Sequence, residues 1–107
     1  MSTIRDLYTP AAPRSLMRAC CLHNDGAFRL SRRDSEVYSV QIASSGSWGR
    51  CRLLNGYGRV LWEMPSTFTG SFWLSGGAAG GIIFEMDSSG VAPVIIVNWR
   101  ETDRKIV

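Results

Sequence analysis

Ser71-Phe72-Trp73-Leu74-Ser75 and Ile82-Ile83-Phe84-Glu85-Met86-Asp87 flank the run Gly76-Gly77-Ala78-Ala79-Gly80-Gly81. In the first segment Phe72 and Leu74 share one face, and Ser71, Trp73 and Ser75 the other. In the second, Ile82, Phe84 and Met86 oppose Ile83, Glu85 and Asp87. A period of two residues marks a β-strand with one face buried. The glycine run between them reads as a hairpin loop or a close-packing contact. It lacks the Gly-Lys-Ser/Thr and the following helix that a phosphate loop needs.

The same period extends both ways along the chain. Tyr38, Val40 and Ile42 share a face opposite Ser39 and Gln41. Arg50 and Arg52 oppose Cys51 and Leu53, and Val60, Trp62 and Met64 oppose Arg59 and Glu63. Val94 to Val97 is continuously apolar, which suits a strand covered on both faces. Turn chemistry divides these runs at Asn24-Asp25-Gly26, Ser44-Ser45-Gly46, Asn55-Gly56-Tyr57-Gly58, Pro65-Ser66 and Asp87-Ser88-Ser89-Gly90. Asn-Gly and Asp-Gly tolerate the positive φ of tight hairpins. With Met17–His23 and Ala27–Ser31 included, about seven or eight short strands recur at roughly 8–12-residue intervals. The expected fold is all-β, an antiparallel β-sandwich or jelly roll. No long helical period follows residue 17, so βαβ folds are excluded.

The 107 residues suit one domain. Hydrophobic residues at 45% and charged residues at 20% exclude a disordered composition. Glycine and serine interrupt the long uncharged stretches, such as Gly70 to Phe84, so no segment offers a membrane-spanning helix. The first ten residues lack the apolar core of a secretory signal. Residues 1–16 read as an extended N-terminal arm, residues 17–100 as the β-sandwich, and 101–107 as a polar tail. Pro10 and Pro13 favour extended backbone, although a helical turn at Thr3 to Tyr8 is compatible with the sequence. The apolar residues Ile4, Leu7, Tyr8 and Leu16 suggest that the arm is tied down on its own core or on a neighbour.

The net charge of +3 is uneven: +3 over residues 1–35, −1 over 36–98 and +1 over 99–107. Arginine outnumbers lysine eleven to one. Guanidinium suits planar ion pairs at protein interfaces. Arg14, Arg18, Arg32 and Arg33 therefore read as interface groups, together with Ile4, Leu7, Tyr8 and Trp73. Stacking aromatics do not interleave these arginines, so nucleic acid is an unlikely partner.

No residue set specifies catalysis. Cys21 and His23 share a strand face, but a nucleophilic pair needs an orienting third group. Cys20, Cys21, His23 and Cys51 could supply four zinc ligands, yet their spacing lacks Cys-x-x-Cys. Neighbouring Cys20 and Cys21 point to opposite faces of a strand. Three reduced thiols acting as small hydrophobes are the simpler reading. Glu36, Glu63, Glu85 and Asp87 show no spacing that singles out an acid pair. No catalytic residue, metal or cofactor is expected.

The segment from Trp48 to Glu63, and Thr69-Gly70-Ser71-Phe72-Trp73-Leu74 leading into Gly81-Ile82-Ile83-Phe84-Glu85, read as Gly/Ser-rich hairpins behind a Pro-containing arm. This pattern resembles the small virion structural proteins of tailed bacteriophages, such as capsid decoration (cement) proteins and fibre or spike domains. The resemblance implies self-association as a homotrimer or higher oligomer. It also implies an arm that latches onto neighbouring capsid or tail proteins, location in the virion, and no enzymatic activity. It transfers no functional residue. The competing expectation is a carbohydrate- or receptor-binding sandwich. There Trp48, Tyr57 or Trp73 would stack on sugars while Asn55 and Asp87 hydrogen-bond hydroxyls.

Overall fold

Val40, Leu53, Ile82, Phe84, Ile95 and Val97 are buried from edge to edge of their side chains, and the strands that carry them close over one core. The computed structural model describes residues 3–10, 16–44, 46 and 48–102. Among these the strands are β1 (Ile4–Asp6), β2 (Arg18–Leu22), β3 (Gly26–Ser31), β4 (Ser35–Ala43), β5 (Gly49–Asn55), β6 (Val60–Pro65), β7 (Gly70–Ala78), β8 (Ile82–Ser88) and β9 (Val94–Glu101). The fold is all-β, with nine strands rather than seven or eight and no helix among the described residues. The short segment expected to permit a helical turn is β1.

Sheet A has the order β1-β3-β8-β5-β6, and sheet B the order β2-β9-β4-β7. The pairing is nested. β5 pairs with β6, β4 with β7, β3 with β8 and β2 with β9, all antiparallel. The chain therefore folds back on itself about the β5–β6 turn. β8–β5 and β9–β4 contacts join the nested pairs into the two sheets. Only β1 is parallel, lying beside β3 with Ile4 opposite Ala27 and Asp6 opposite Arg29.

Both sheets contribute to the core. Phe28, Leu30, Cys51, Leu53, Phe84 and Met86 come from sheet A; Leu22, Val37, Val40, Ile42, Ile95, Val97 and Trp99 come from sheet B. Trp62 bridges the layers, its ring 5.3 Å from that of Phe72 and 6.3 Å from that of Phe84. Burying these side chains, at roughly 1.5–3 kcal/mol for each large apolar group, is the main force closing the sandwich.

Register slips correct two of the expected faces. β4 shifts against both neighbours between Val37 and Ser39. One extra residue reverses the alternation. Val37 and Val40 are therefore both buried, and Tyr38 turns away from the core. The Tyr38 hydroxyl donates to Glu36 Oε2 at 3.0 Å, and the Arg100 guanidinium lies 5.5 Å over its ring. In the β5–β6 pair, Leu53 faces Trp62 but Leu54 faces Val60, so Leu61 is passed over. Val60 leaves the core face as a result, whereas Trp62 and Met64 keep it.

β9 is not covered on both faces. Ile95 and Val97 are buried, Ile96 is half-buried and Val94 is exposed. β7 runs on through Gly76 and Gly77 to Ala78, because the backbone ladder to β4 needs no side chain. The glycine requirement falls later. Gly81 has φ +122°, and a Cβ there would lie 2.1 Å from the Ser31 carbonyl oxygen. Only glycine lets the β7–β8 turn pass this close to the end of β3.

Candidate functional site

The outer face of sheet A carries charge. β5 directs Arg50 and Arg52 outward beside Glu85 and Asp87 of β8 and Glu63 of β6. Arg52 Nη2 lies 3.3 Å from Glu85 Oε2, and Arg50 Nη1 lies 3.6 Å from Glu63 Oε1. A depression of about 420 Å³ lies among Asp25, Arg50, Arg52, Glu85 and Asp87. Asp25 is occupied there, accepting from the Ser88 amide at 3.1 Å and from the Ser88 hydroxyl at 2.9 Å. Cross-strand opposite charges of this kind stabilise a solvated sheet face weakly. The carboxylates alternate with arginines and are not set as an acid pair.

The outer face of sheet B is different. Register places Ala19 of β2, Asn98 of β9, Ser39 of β4 and Trp73 of β7 in one row across it. Cys21, Ile96, Gln41 and Ser71 form the next row, and Val94 and Ala43 follow. These rows contain no carboxylate, guanidinium or ammonium. Trp73 stands out from edge strand β7 with 78% of its surface exposed. Asn98 Nδ2 donates to Ser39 Oγ at 2.9 Å beneath it. A depression of about 330 Å³ alongside is lined by Gln41, Thr69, Ser71, Val94 and Ile96, among others. Among the described residues charge returns only at the end of the face, where Arg100 Nη2 meets Glu36 Oε2 at 3.0 Å.

The three aromatics expected to stack on a ligand are not brought together. The β3–β4, β5–β6 and β7–β8 turns share one end of the sandwich, tied by Gly56 N to Ala79 O at 2.9 Å and Gly80 N to Asp34 Oδ1 at 2.7 Å. Tyr57 is there, 81% exposed. Trp48, 76% exposed, sits at the opposite end, where Ser89 N donates to its carbonyl. The seven residues of β5 separate the two, roughly 23 Å at strand rise. Asn55 is buried and its Oδ1 accepts from the amides of Tyr57 and Arg59 at 2.9 and 3.0 Å. It holds the β5–β6 turn and has no acceptor left facing solvent for a sugar. Asp87 lies on the other sheet from Trp73.

At the N-terminal segment, Leu7 N donates to Arg29 O at 2.9 Å, and Arg32 Nε donates to Asp6 Oδ2 at 3.2 Å. Hydrogen bonding from Arg32, then from the Tyr8 amide, holds the Asp6 carboxyl below its ordinary range. Arg5 lies 5.9 Å over the Phe28 ring at the sandwich edge. Ile4, Leu7, Leu16 and Met17 remain exposed. Arg33 is exposed within the β3–β4 turn, its carbonyl accepting from Ser35 Oγ. Arg14 lies outside the described residues.

Arg18 turns inward. Its guanidinium lies 5.4 Å over Trp99, donates to Thr9 Oγ1 at 2.6 Å and sits 3.7 Å from Glu101 Oε1. Glu101 is only 1% exposed at the end of β9, in the stretch read from sequence as a polar tail. No sequence signal distinguished this inward arginine from the others. The thiols do not converge. Cys20 faces the core from sheet B, Cys21 is on the opposite face, and Cys51 is buried in sheet A. Burial raises Cys20, with a smaller push from Cys21, and lifts the Cys51 thiol to about 11. Both stay protonated near neutrality, the inert form for nucleophilic attack or metal binding. Among the described residues no three His, Cys, Asp or Glu side chains are grouped to hold a metal ion.

The sequence matches no family model and no curated protein.

Proposed function

We propose that the chain is a non-enzymatic virion structural protein, a capsid decoration or tail/fibre component. In this reading it docks through its N-terminal arm on capsid or tail proteins. It self-associates through the β-domain as a homotrimer or higher oligomer. We read the nested pairing as a jelly roll, with β2-β9-β4-β7 facing β3-β8-β5-β6 and β1 added at one edge. Viral capsid domains and lectins both use that architecture, so the fold alone does not choose between them.

The observation that carries the assembly reading is where apolar surface remains uncovered. Of the twelve large hydrophobic side chains exposed among the described residues, four belong to the N-terminal segment: Ile4, Leu7, Leu16 and Met17. We read this concentration of exposed apolar side chains in one stretch of the chain as the surface that docks. β1 adds to this argument. It is three residues long, wholly exposed and paired on one side only, at the edge of sheet A.

The test is assembly after loss of this segment. Deleting residues 1–15 should abolish incorporation into particles, or self-association, while circular dichroism still reports a folded β-domain. Leu16→Ser with Met17→Ser should weaken association without touching the core. Normal assembly of both variants would overturn the reading.

A further inference from the structure

We propose that the outer face of sheet B is a binding site for a neutral oligosaccharide, with a pyranose ring stacked on Trp73. The inference uses no residue of the N-terminal segment and stands whether or not the chain assembles.

The argument starts from what a pyranose offers. When its substituents are equatorial, the ring presents a nearly flat face of axial C–H bonds and a rim of hydroxyls. The C–H face needs an exposed aromatic surface, and the rim needs uncharged donors and acceptors beside it. Ligand sites combine these in the same way, an apolar floor with a few polar groups that fix orientation. Trp73 supplies the surface, since most of it is exposed while its backbone is fixed in the β4–β7 ladder. Ser39 lies directly opposite it but is buried and accepts from Asn98, so the rim groups are Ser71, two residues back, and Gln41, diagonally across. Side chains at those offsets stand roughly 5–8 Å from the tryptophan, about the breadth of one sugar ring. Gln41 and Ser71 have no side-chain hydrogen bond to protein among the described residues. Their amide and hydroxyl groups thus remain available for sugar hydroxyls. The depression beyond them continues along Thr69, Val94 and Ile96, where a second ring unit would lie.

Charge decides the class of sugar. Sheet A's outer face is laced with arginines and carboxylates, whereas the rows around Trp73 have none. The nearest ion pair among the described residues, Arg100 with Glu36, lies at the end of the face, where the Tyr38 hydroxyl also donates to Glu36. A uronate or sulfated chain would find no counter-charge beside the stacking ring. A protein partner fits this surface less well, because interface anchors sit in apolar patches and the immediate neighbours of Trp73 are serines and a glutamine.

The test is isothermal titration of the full chain with cellohexaose, laminarihexaose and chitohexaose, with oligogalacturonate as the charged control. At least one neutral hexaose should bind and the charged control should not. Trp73→Ala should weaken that binding by about tenfold or more, Trp73→Phe should retain part of it, and Gln41→Ala should lose less. Tyr57→Ala, in the β5–β6 turn at the far end of the sandwich, should leave it unchanged. Because Trp73 is exposed, circular dichroism should show all these variants folded. The proposal is overturned if no neutral hexaose binds, if the charged control binds equally well, or if Trp73→Ala binds as the parent does. It also fails if Trp73→Ala lowers the assembled mass in light scattering, since the face would then be a subunit contact.

Discussion

Gly81 and Gly76 lie in one glycine run but answer to different constraints. A Cβ at Gly81 would collide with the Ser31 carbonyl, at a φ that L-residues rarely adopt, whereas one at Gly76 would meet nothing within 4 Å. Gly81→Ala should therefore cost about 2–3 kcal/mol and lower Tm by about 10 °C or more. Gly76→Ala should change Tm by little. Differential scanning calorimetry of the pair checks this. Cys51 gives a pH signature. Its folded thiol ionises near 11, above the 9.0 of an unperturbed thiol, because burial disfavours the thiolate. Below about 9 both folded and unfolded states hold the proton. Between 9 and 11 only the unfolded state releases it, so stability falls as pH rises through that window. Thermal melts should show this decline, and it should be smaller in Cys51→Ala. At neutral pH, iodoacetamide should label exposed Cys21 in the native state and spare Cys51.

Strands with a clean period of two were legible because burial on one face writes itself into the sequence. β5, β7 and β8 place Cys51, Leu53, Phe72, Leu74, Ile82, Phe84 and Met86 inward, as their alternation predicts. The slips in β4 and β6 were not legible. A bulge is set by how two strands fit each other, and Tyr38 and Val60 carry no local mark of it. β9 misleads for a related reason. Four consecutive apolar residues read as doubly covered, yet Val94 and Ile96 look out onto an open face. That same face holds Trp73, whose outward direction among serines could be read from spacing alone. The emptiness of charge around it could not, because it is assembled from four strands. Nor could the turn role of Asn55, which depends on Tyr57 and Arg59 presenting their amides to it. Elements should also differ in dynamics. β1 is short, exposed and paired on one side only, while β9 lies between β2 and β4. In hydrogen exchange the amides of Ile4–Asp6 should exchange well before those of Ile95–Trp99. Equal protection would mean that β1 is an integral part of the sheet and not a detachable edge.

Taken whole, the molecule is a ribbon folded about its β5–β6 turn, so its last strand pairs with its second. Arg18 lies opposite Trp99, and nearly every pairing joins distant parts of the chain. Such a topology must close long loops before its contacts form, so refolding should occupy milliseconds to seconds. At this size the folded chain buries only about two-thirds of its unfolded surface, a modest margin that association would increase. In the proposed reading, the exposed Ile4, Leu7, Leu16 and Met17 make the N-terminal segment the place where association would add burial. Sedimentation equilibrium of the full chain at micromolar concentration tests this most directly. The account expects a mass at least three times the 11.8 kDa of one chain, falling when Leu16 and Met17 are replaced by serine. A stable monomer at every concentration would contradict it.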